Sequence, residues 1–142
     1  MKHEDCIFCD IVEKKAPASI VFEDDKVLAF LDISPVNTGH TLIIPKKHAA
    51  TLSDVSSLDL ARMMVVAQAI GKAIRTSDLR CEGVNLFLAD GEAAFQEVFH
   101  CHLHVFPRFT GDSFRVDADW SKQPDRAQLE RVAEQISSQL RL

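Results

Sequence analysis

Residues 100–107 read His-Cys-His-Leu-His-Val-Phe-Pro. Histidine alternating with apolar residues has the two-residue period of a β-strand. That period predicts that His100, His102 and His104 share one face while Cys101, Leu103 and Val105 turn into a core. Successive histidines on such a strand stand roughly 6.8 Å apart. Each imidazole needs hydrogen-bond partners and titrates near neutrality, so the row is costly as mere structure, although an incidental surface alternation is the plainer alternative. Metal ligation is one chemistry it offers, nucleophilic or acid–base catalysis another. One ion cannot easily take all three, because the outer side chains start roughly 13.6 Å apart and a zinc–nitrogen bond is about 2.0–2.1 Å. A division of labour fits better, with a terminal histidine on a metal and the middle one left for chemistry.

A second candidate is Cys6-Ile7-Phe8-Cys9. The chain starts Met1-Lys2-His3-Glu4-Asp5 and runs into no long apolar stretch. The expectation is neither a secretory signal nor a membrane span, and a cytoplasmic location. There the four cysteines, with Cys81 and Cys101, are not expected to form a disulfide framework. A redox Cys-x-x-Cys should follow a strand and open a helix, and Cys6 sits too early for that. Zinc is the preferred reading, with Cys6 and Cys9 as half of a site.

Around these residues the sequence places the elements that must hold them. The 142 residues, 46% hydrophobic and 26% charged, read as a single domain over 1–142. A net charge of −5 argues against nucleic-acid binding, which uses basic surfaces. A short helix is expected within 6–15, strands at 19–23 and 27–33, and a loop over 34–39. A third strand follows at 40–44, stopped by Pro45. A long helix is expected over about 57–77, a strand over 84–89, a loop over 90–95, and then the histidine strand. A final helix starts near Pro124-Asp125, with Leu129, Val132, Ala133, Ile136 and Leu140 as its stripe. Clustered strands without regular βα alternation indicate an α+β fold: a mostly antiparallel sheet of about five strands with helices on one side, including a long central helix and a C-terminal helix.

The central helix is apolar almost all round from Leu60 to Ile70. Such a helix must be covered on both sides. The expectation is a homodimer seamed around Met63–Ile70, with Met64 and Val66 at the seam; burial within its own chain is the alternative.

The histidine row resembles the motif of the histidine triad superfamily: His, apolar, His, apolar, His, then two apolar residues, here His100 to Phe106. Other segments resemble the same family in the same order: Cys6–Ile11, Phe22–Asp25, Phe30–Pro35, Gly39–Leu42, Ile44–His48 and Gly91–Phe99. The motif-bearing part spans about 5–110, and 111–142 is a C-terminal extension with a helix. Bacterial zinc-containing members, similar to histidine triad nucleotide-binding proteins and fragile-histidine-triad hydrolases, are the nearest in pattern.

That resemblance implies hydrolysis at the α-phosphate of nucleoside phosphoramidates or dinucleoside polyphosphates, with purine (AMP or GMP) derivatives as substrates. His102 would be the nucleophile and form a nucleotidyl-histidine that water resolves. A neutral imidazole suits this step because it needs no separate base. His40, His104, Gln96 and backbone amides of the loop ending at Gln96 would serve the phosphoryl oxygens, and His100 completes the catalytic row. Asp32 would take the ribose hydroxyls. Ile7, Phe8, Ile11, Phe30, Leu31 and Ile33 would form the base slot, with Gln96, Val98, His102 and His104 also lining the nucleotide. For Ile11 and Phe30, ordinary core packing reads equally well. The family also completes the metal site: Cys6, Cys9, His48 and His100 would give a structural Cys2His2 zinc. No organic cofactor is implied, and its smaller members pair through the long helix and extend the sheet across the interface.

Three positions depart from the pattern. Ala89 stands where relatives place an asparagine, Phe95 where a glycine precedes Gln96, and Cys101 where an aliphatic residue is usual. Glycine before Gln96 lets backbone approach phosphate closely. Two further readings stay open: a nucleotidyltransferase or phosphorylase sharing the intermediate, and a nucleotide-binding interaction module with weak activity.

Overall fold

The computed structural model describes residues 5–142. Its elements run α1 (Ile7–Val12), β1 (Ile20–Glu23), β2 (Val27–Leu31), β3 (Thr41–Pro45), α2 (Ser57–Thr76), β4 (Gly83–Leu88), β5 (Leu103–Arg108) and α3 (Arg126–Gln139). The strands form one sheet in the order β1-β2-β3-β5-β4, with every neighbouring pair antiparallel. This is the α+β architecture expected from the clustered strands.

Strands β2 and β3 are nearly continuous apolar runs buried along their length, as strands covered on both faces must be. Val27, Ala29 and Ile43 pack with Leu103 and Val105 against Met63, Val66, Ala67, Ile70 and Ile74 of α2. The alternate residues Leu28, Phe30, Leu42 and Ile44 pack with Cys6, Phe8, Cys9 and Ile11 of the α1 segment. Helices therefore cover both faces, which corrects the one-sided arrangement expected from sequence. A six-residue α1 carries too little apolar surface to announce itself as a layer.

Ser56 caps α2, its side chain accepting from the Asp59 amide. Val66, expected at a dimer seam, lies instead in this chain's core, whereas Leu58, Met64 and Val65 are exposed. Helix α3 buries none of its residues, and Leu129, Val132, Ile136 and Leu140 stay in solvent. Among the described residues no helix is long and apolar enough to cross a membrane.

The histidine row is only partly strand. Ladder pairing starts at Leu103, so His104 lies in β5 opposite Leu42 and Phe87, while His100 and His102 precede it. Cys101, Leu103 and Val105 are buried as the alternation predicts.

Candidate functional site

Backbone groups fix the proton on three imidazoles, and on a fourth through one of these, because an amide can only donate and a carbonyl only accept. His100 sits in the bend before β5 and is fully buried. Its Nε2–H donates to the Pro45 carbonyl at 2.8 Å, which leaves the Nδ1 lone pair facing Cys6 Sγ at 3.5 Å and Cys9 Sγ at 3.7 Å. His48 Nδ1 lies 3.3 Å from Cys9 Sγ. In a tetrahedral zinc site with bonds of about 2.3 Å to sulfur and 2.0–2.1 Å to nitrogen, a sulfur and a nitrogen stand about 3.6 Å apart. All four donor atoms lie within 4.8 Å of one another, so the residues fit a closed zinc site.

Two residues on, His102 Nδ1–H donates to the His100 carbonyl at 2.7 Å, and Nε2 keeps its lone pair. The Phe8 ring packs edge-on against His102, centroids 5.2 Å apart, and against His100 at 5.9 Å. Phe8 thus wedges the nucleophile candidate and the metal candidate together from α1.

A second chain of bonds runs through His40. The Val36 amide donates to His40 Nδ1 at 3.1 Å, so the proton of this imidazole is on Nε2. That Nε2–H points at His104 Nδ1, 2.8 Å away, with Asp32 Oδ2 at 3.5 Å. His104 consequently carries its own proton on Nε2 and offers it as a donor. Asp32, His40 and His104 are close enough to suggest a cation, but a protonated His40 Nε2 cannot ligate one. The cluster is a hydrogen-bond relay.

Burial favours the neutral form of these rings. It pushes His104 down to about 4, with the neighbouring His102 and His40 adding to the effect, and His100 likewise to about 4. His102 and His40 are lowered by the same burial, opposed at His102 by the His100 carbonyl and at His40 by the Asp32 charge. Burial also pushes the Cys101 thiol up to about 11, so it is a core group.

The loop before the row is self-contained. Gln96 Nε2 donates to the Ala50 and Val98 carbonyls, and Oε1 accepts from the Gly91 amide. Both side-chain hydrogens are spent on carbonyls, so Gln96 shapes the loop. Phe95 takes the left-handed conformation, φ +69°, the region for which glycine is best suited.

Of the expected base-slot residues, Phe8, Ile11 and Phe30 belong to a core cluster with Val98 against it, whereas Ile7, Leu31 and Ile33 remain exposed. The last two flank Asp32, whose Oδ1 accepts from the Ser34 amide. Sequence reasoning missed Val36, Asn37 and Pro45, which act through backbone groups or a loop amide. It also missed Phe106, whose ring packs edge-on against His40 with centroids 4.6 Å apart. Among the described residues no buried side-chain nitrogen or oxygen lacks a hydrogen-bond partner.

An antiparallel five-stranded sheet that carries a histidine relay at β3 and β5, beside a Cys2His2 cluster, defines a histidine triad protein. The HIT domain family model matches residues 13–111, and the chain belongs to that family. A HIT family protein from Bacillus anthracis superposes with a TM-score of 0.90 at 36% identity, over 99% of this chain and 100% of that one. A zinc-bound histidine triad family protein from Mycobacterium smegmatis is 42% identical, with a TM-score of 0.75 over 95% and 98%. A histidine triad nucleotide-binding protein from Candida albicans is 28% identical, with a TM-score of 0.84 over 94% and 96%.

Proposed function

We propose that this HIT protein hydrolyses nucleotides at the α-phosphate of nucleoside phosphoramidates or dinucleoside polyphosphates, by way of a nucleotidyl-His102. The observation that carries the reading is the tautomer of His102. With Nδ1–H committed to the His100 carbonyl, the Nε2 lone pair is available for attack without a general base.

In this mechanism His102 Nε2 attacks the α-phosphorus, and the leaving group departs with the electron pair of its bond, a polyphosphate as its anion and an amine with a proton that its bridging nitrogen takes up from solvent. The imidazolium that results keeps its Nδ1–H on the His100 carbonyl. His104 Nε2–H serves as a neutral donor to charge developing on the phosphoryl oxygens or the bridging atom. Held by His40, it is a hydrogen-bond donor more than a proton source. Water then attacks phosphorus, its surplus proton passes to solvent, the bond to Nε2 breaks with its electron pair returning to the ring, and the nucleoside monophosphate leaves His102 neutral. Asp32 offers an acceptor to the ribose hydroxyls, and Ile7, Leu31 and Ile33 offer apolar surface to a purine. Cys6, Cys9, His48 and His100 would hold zinc, which would tie α1 to the sheet and supply no chemistry to the reaction.

The described zinc-bound and nucleotide-binding neighbours support this reading in outline. The exposed Leu58, Met64 and Val65 of α2, with β4 at the open edge of the sheet, support a homodimer. We place the protein in the cytoplasm on its sequence.

The test is to incubate the protein with an adenosine phosphoramidate and with a diadenosine polyphosphate, each with and without inorganic phosphate. Hydrolysis to AMP, trapping of a nucleotidyl-protein at His102, and loss of both in His102→Ala are expected. Product that carries added phosphate would make the protein a transferase. Full turnover by His102→Ala would overturn the mechanism.

A further inference from the structure

Asp112 lies in the turn after β5, is 3% exposed, and belongs to none of the machinery above. Its carboxylate accepts from Arg108 Nε at 2.6 Å and Nη2 at 2.8 Å, in the two-pronged geometry that fixes orientation. The Phe109 amide also donates to it, at 3.3 Å. A fourth donor comes from across the fold: Asn37 Nδ2, at 2.9 Å. The same Asn37 amide donates to the Pro107 carbonyl at 2.8 Å, so one side chain ties the loop between β2 and β3 to the end of β5.

That loop sets the relay. Asn37 is the neighbour of Val36, whose amide donates to His40 Nδ1, and the Asn37 carbonyl accepts from the His40 amide at 3.0 Å. On its other side the loop opens into a cavity of about 530 Å³ bordered by Asp78, Leu79, Arg80 and Phe109. That space leaves Val36 and Asn37 without close packing on this side, and the Asn37 side chain is what ties this part of the loop to the end of β5.

We infer that Asn37 and Asp112 are positioning residues that hold the Val36 amide on His40, and through it decide which nitrogen of His104 carries the proton. Movement of Val36 would free His40 Nδ1 to take the proton. His40 Nε2 would then become an acceptor, and the proton on His104 would move to Nδ1 to meet it. The proton count is unchanged, but His104 would face substrate with a lone pair instead of a donor. The proposal rests on the reading of His104 as a donor only for its effect on rate; the tautomers are a property of the free protein.

The experiment is long-range ¹H–¹⁵N NMR of histidine-labelled, zinc-loaded protein near pH 7.5. The unmodified chain should show His40 and His104 each as the Nε2–H tautomer and His102 as the Nδ1–H tautomer. Asn37→Ala should turn His40 and His104 into tautomer mixtures and leave His102 and His100 as they were, which also reports an intact fold. Asn37→Asp, which sets two carboxylates against each other, should do the same. Single tautomers of His40 and His104 retained in both Asn37 variants would overturn the inference. Alongside, kcat should fall about tenfold with KM little changed. Altered tautomers with unchanged kcat would leave the positioning role standing and sink the donor role of His104.

Discussion

The carbonyl oxygen of His100 lies 2.7 Å from Nδ1 of His102, while the His100 ring faces the two cysteine sulfurs. One residue thus sends its side chain to the metal candidate and its backbone to the nucleophile candidate. Whatever immobilises the His100 ring also holds the carbonyl that sets the His102 tautomer.

Zinc should therefore matter to rate without entering the chemistry. Elemental analysis should find one zinc per chain, and Cys9→Ser should lose it. Removal with a chelator should lower the melting temperature and reduce kcat at least tenfold, both recovering on adding zinc back. Zinc-free protein with unchanged melting and turnover would contradict the coupling.

Activity should persist into acid. Because burial lowers the His102 pKa, the neutral nucleophile predominates at and somewhat below pH 6.5, the ordinary histidine value. The acid limb of kcat/KM should accordingly fall below pH 6.5. Stability follows the same sign: His104 binds a proton near pH 4 when folded and near 6.5 when unfolded. Its contribution is present above pH 6.5 and is lost as pH falls toward 4. Urea titrations at several pH values measure this, and stability that rises on acidification across that window would refute it.

Gly39→Ala should destabilise the protein by about 1–2 kcal/mol. Gly39 has φ +95°, and a Cβ there would meet Leu79 Cδ1 at 2.9 Å and Pro107 Cγ at 3.3 Å. Leu79 can yield, but the backbone strain remains. Thermal melts and urea midpoints give the size of the loss.

Phe95→Gly should act the other way. A left-handed backbone costs a residue with a side chain about 1–2 kcal/mol, and glycine's extra chain entropy costs about 0.5–1 kcal/mol. The ring is 81% exposed, so little burial is lost. A net gain of about 0.5–1 kcal/mol is expected, and a clear loss in the urea midpoint would mean that the ring packs against something in the assembled protein.

Sedimentation should give a dimer for the unmodified chain at micromolar concentration. Met64→Glu and Val65→Glu, on the exposed side of α2, should shift it toward monomer while preserving circular dichroism. Val66→Glu should unfold the chain, since Val66 is 4% exposed in the core and an unpaired buried charge is costly. Monomers from the unmodified chain would remove the dimer.

Much of this was legible in one dimension because periodicity records burial. The alternation around Leu103 and Val105, the apolar runs of β2 and β3 and the capped α2 each carry the period of their element. Those periods carried the α+β class and most boundaries to within two residues, the start of the histidine strand excepted. The Cys6–Cys9 spacing marked half of a metal site, and the family resemblance pointed to His48 and His100 as the rest.

Proton placement was not legible. The tautomers of His40, His100 and His102 are set by the Val36 amide and the carbonyls of Pro45 and His100, and every residue but proline carries the same amide. The side of the sheet taken by α1, the core place of Val66 and the tie from Asn37 to Asp112 likewise exist only once distant segments meet. Sequence by itself determined the elements, the histidine row and the cysteine pair, since these are local patterns of residue type. Tertiary structure alone decided which nitrogen of His40, His100 and His102 keeps its lone pair, because that choice belongs to the backbone group that the fold sets within hydrogen-bond distance.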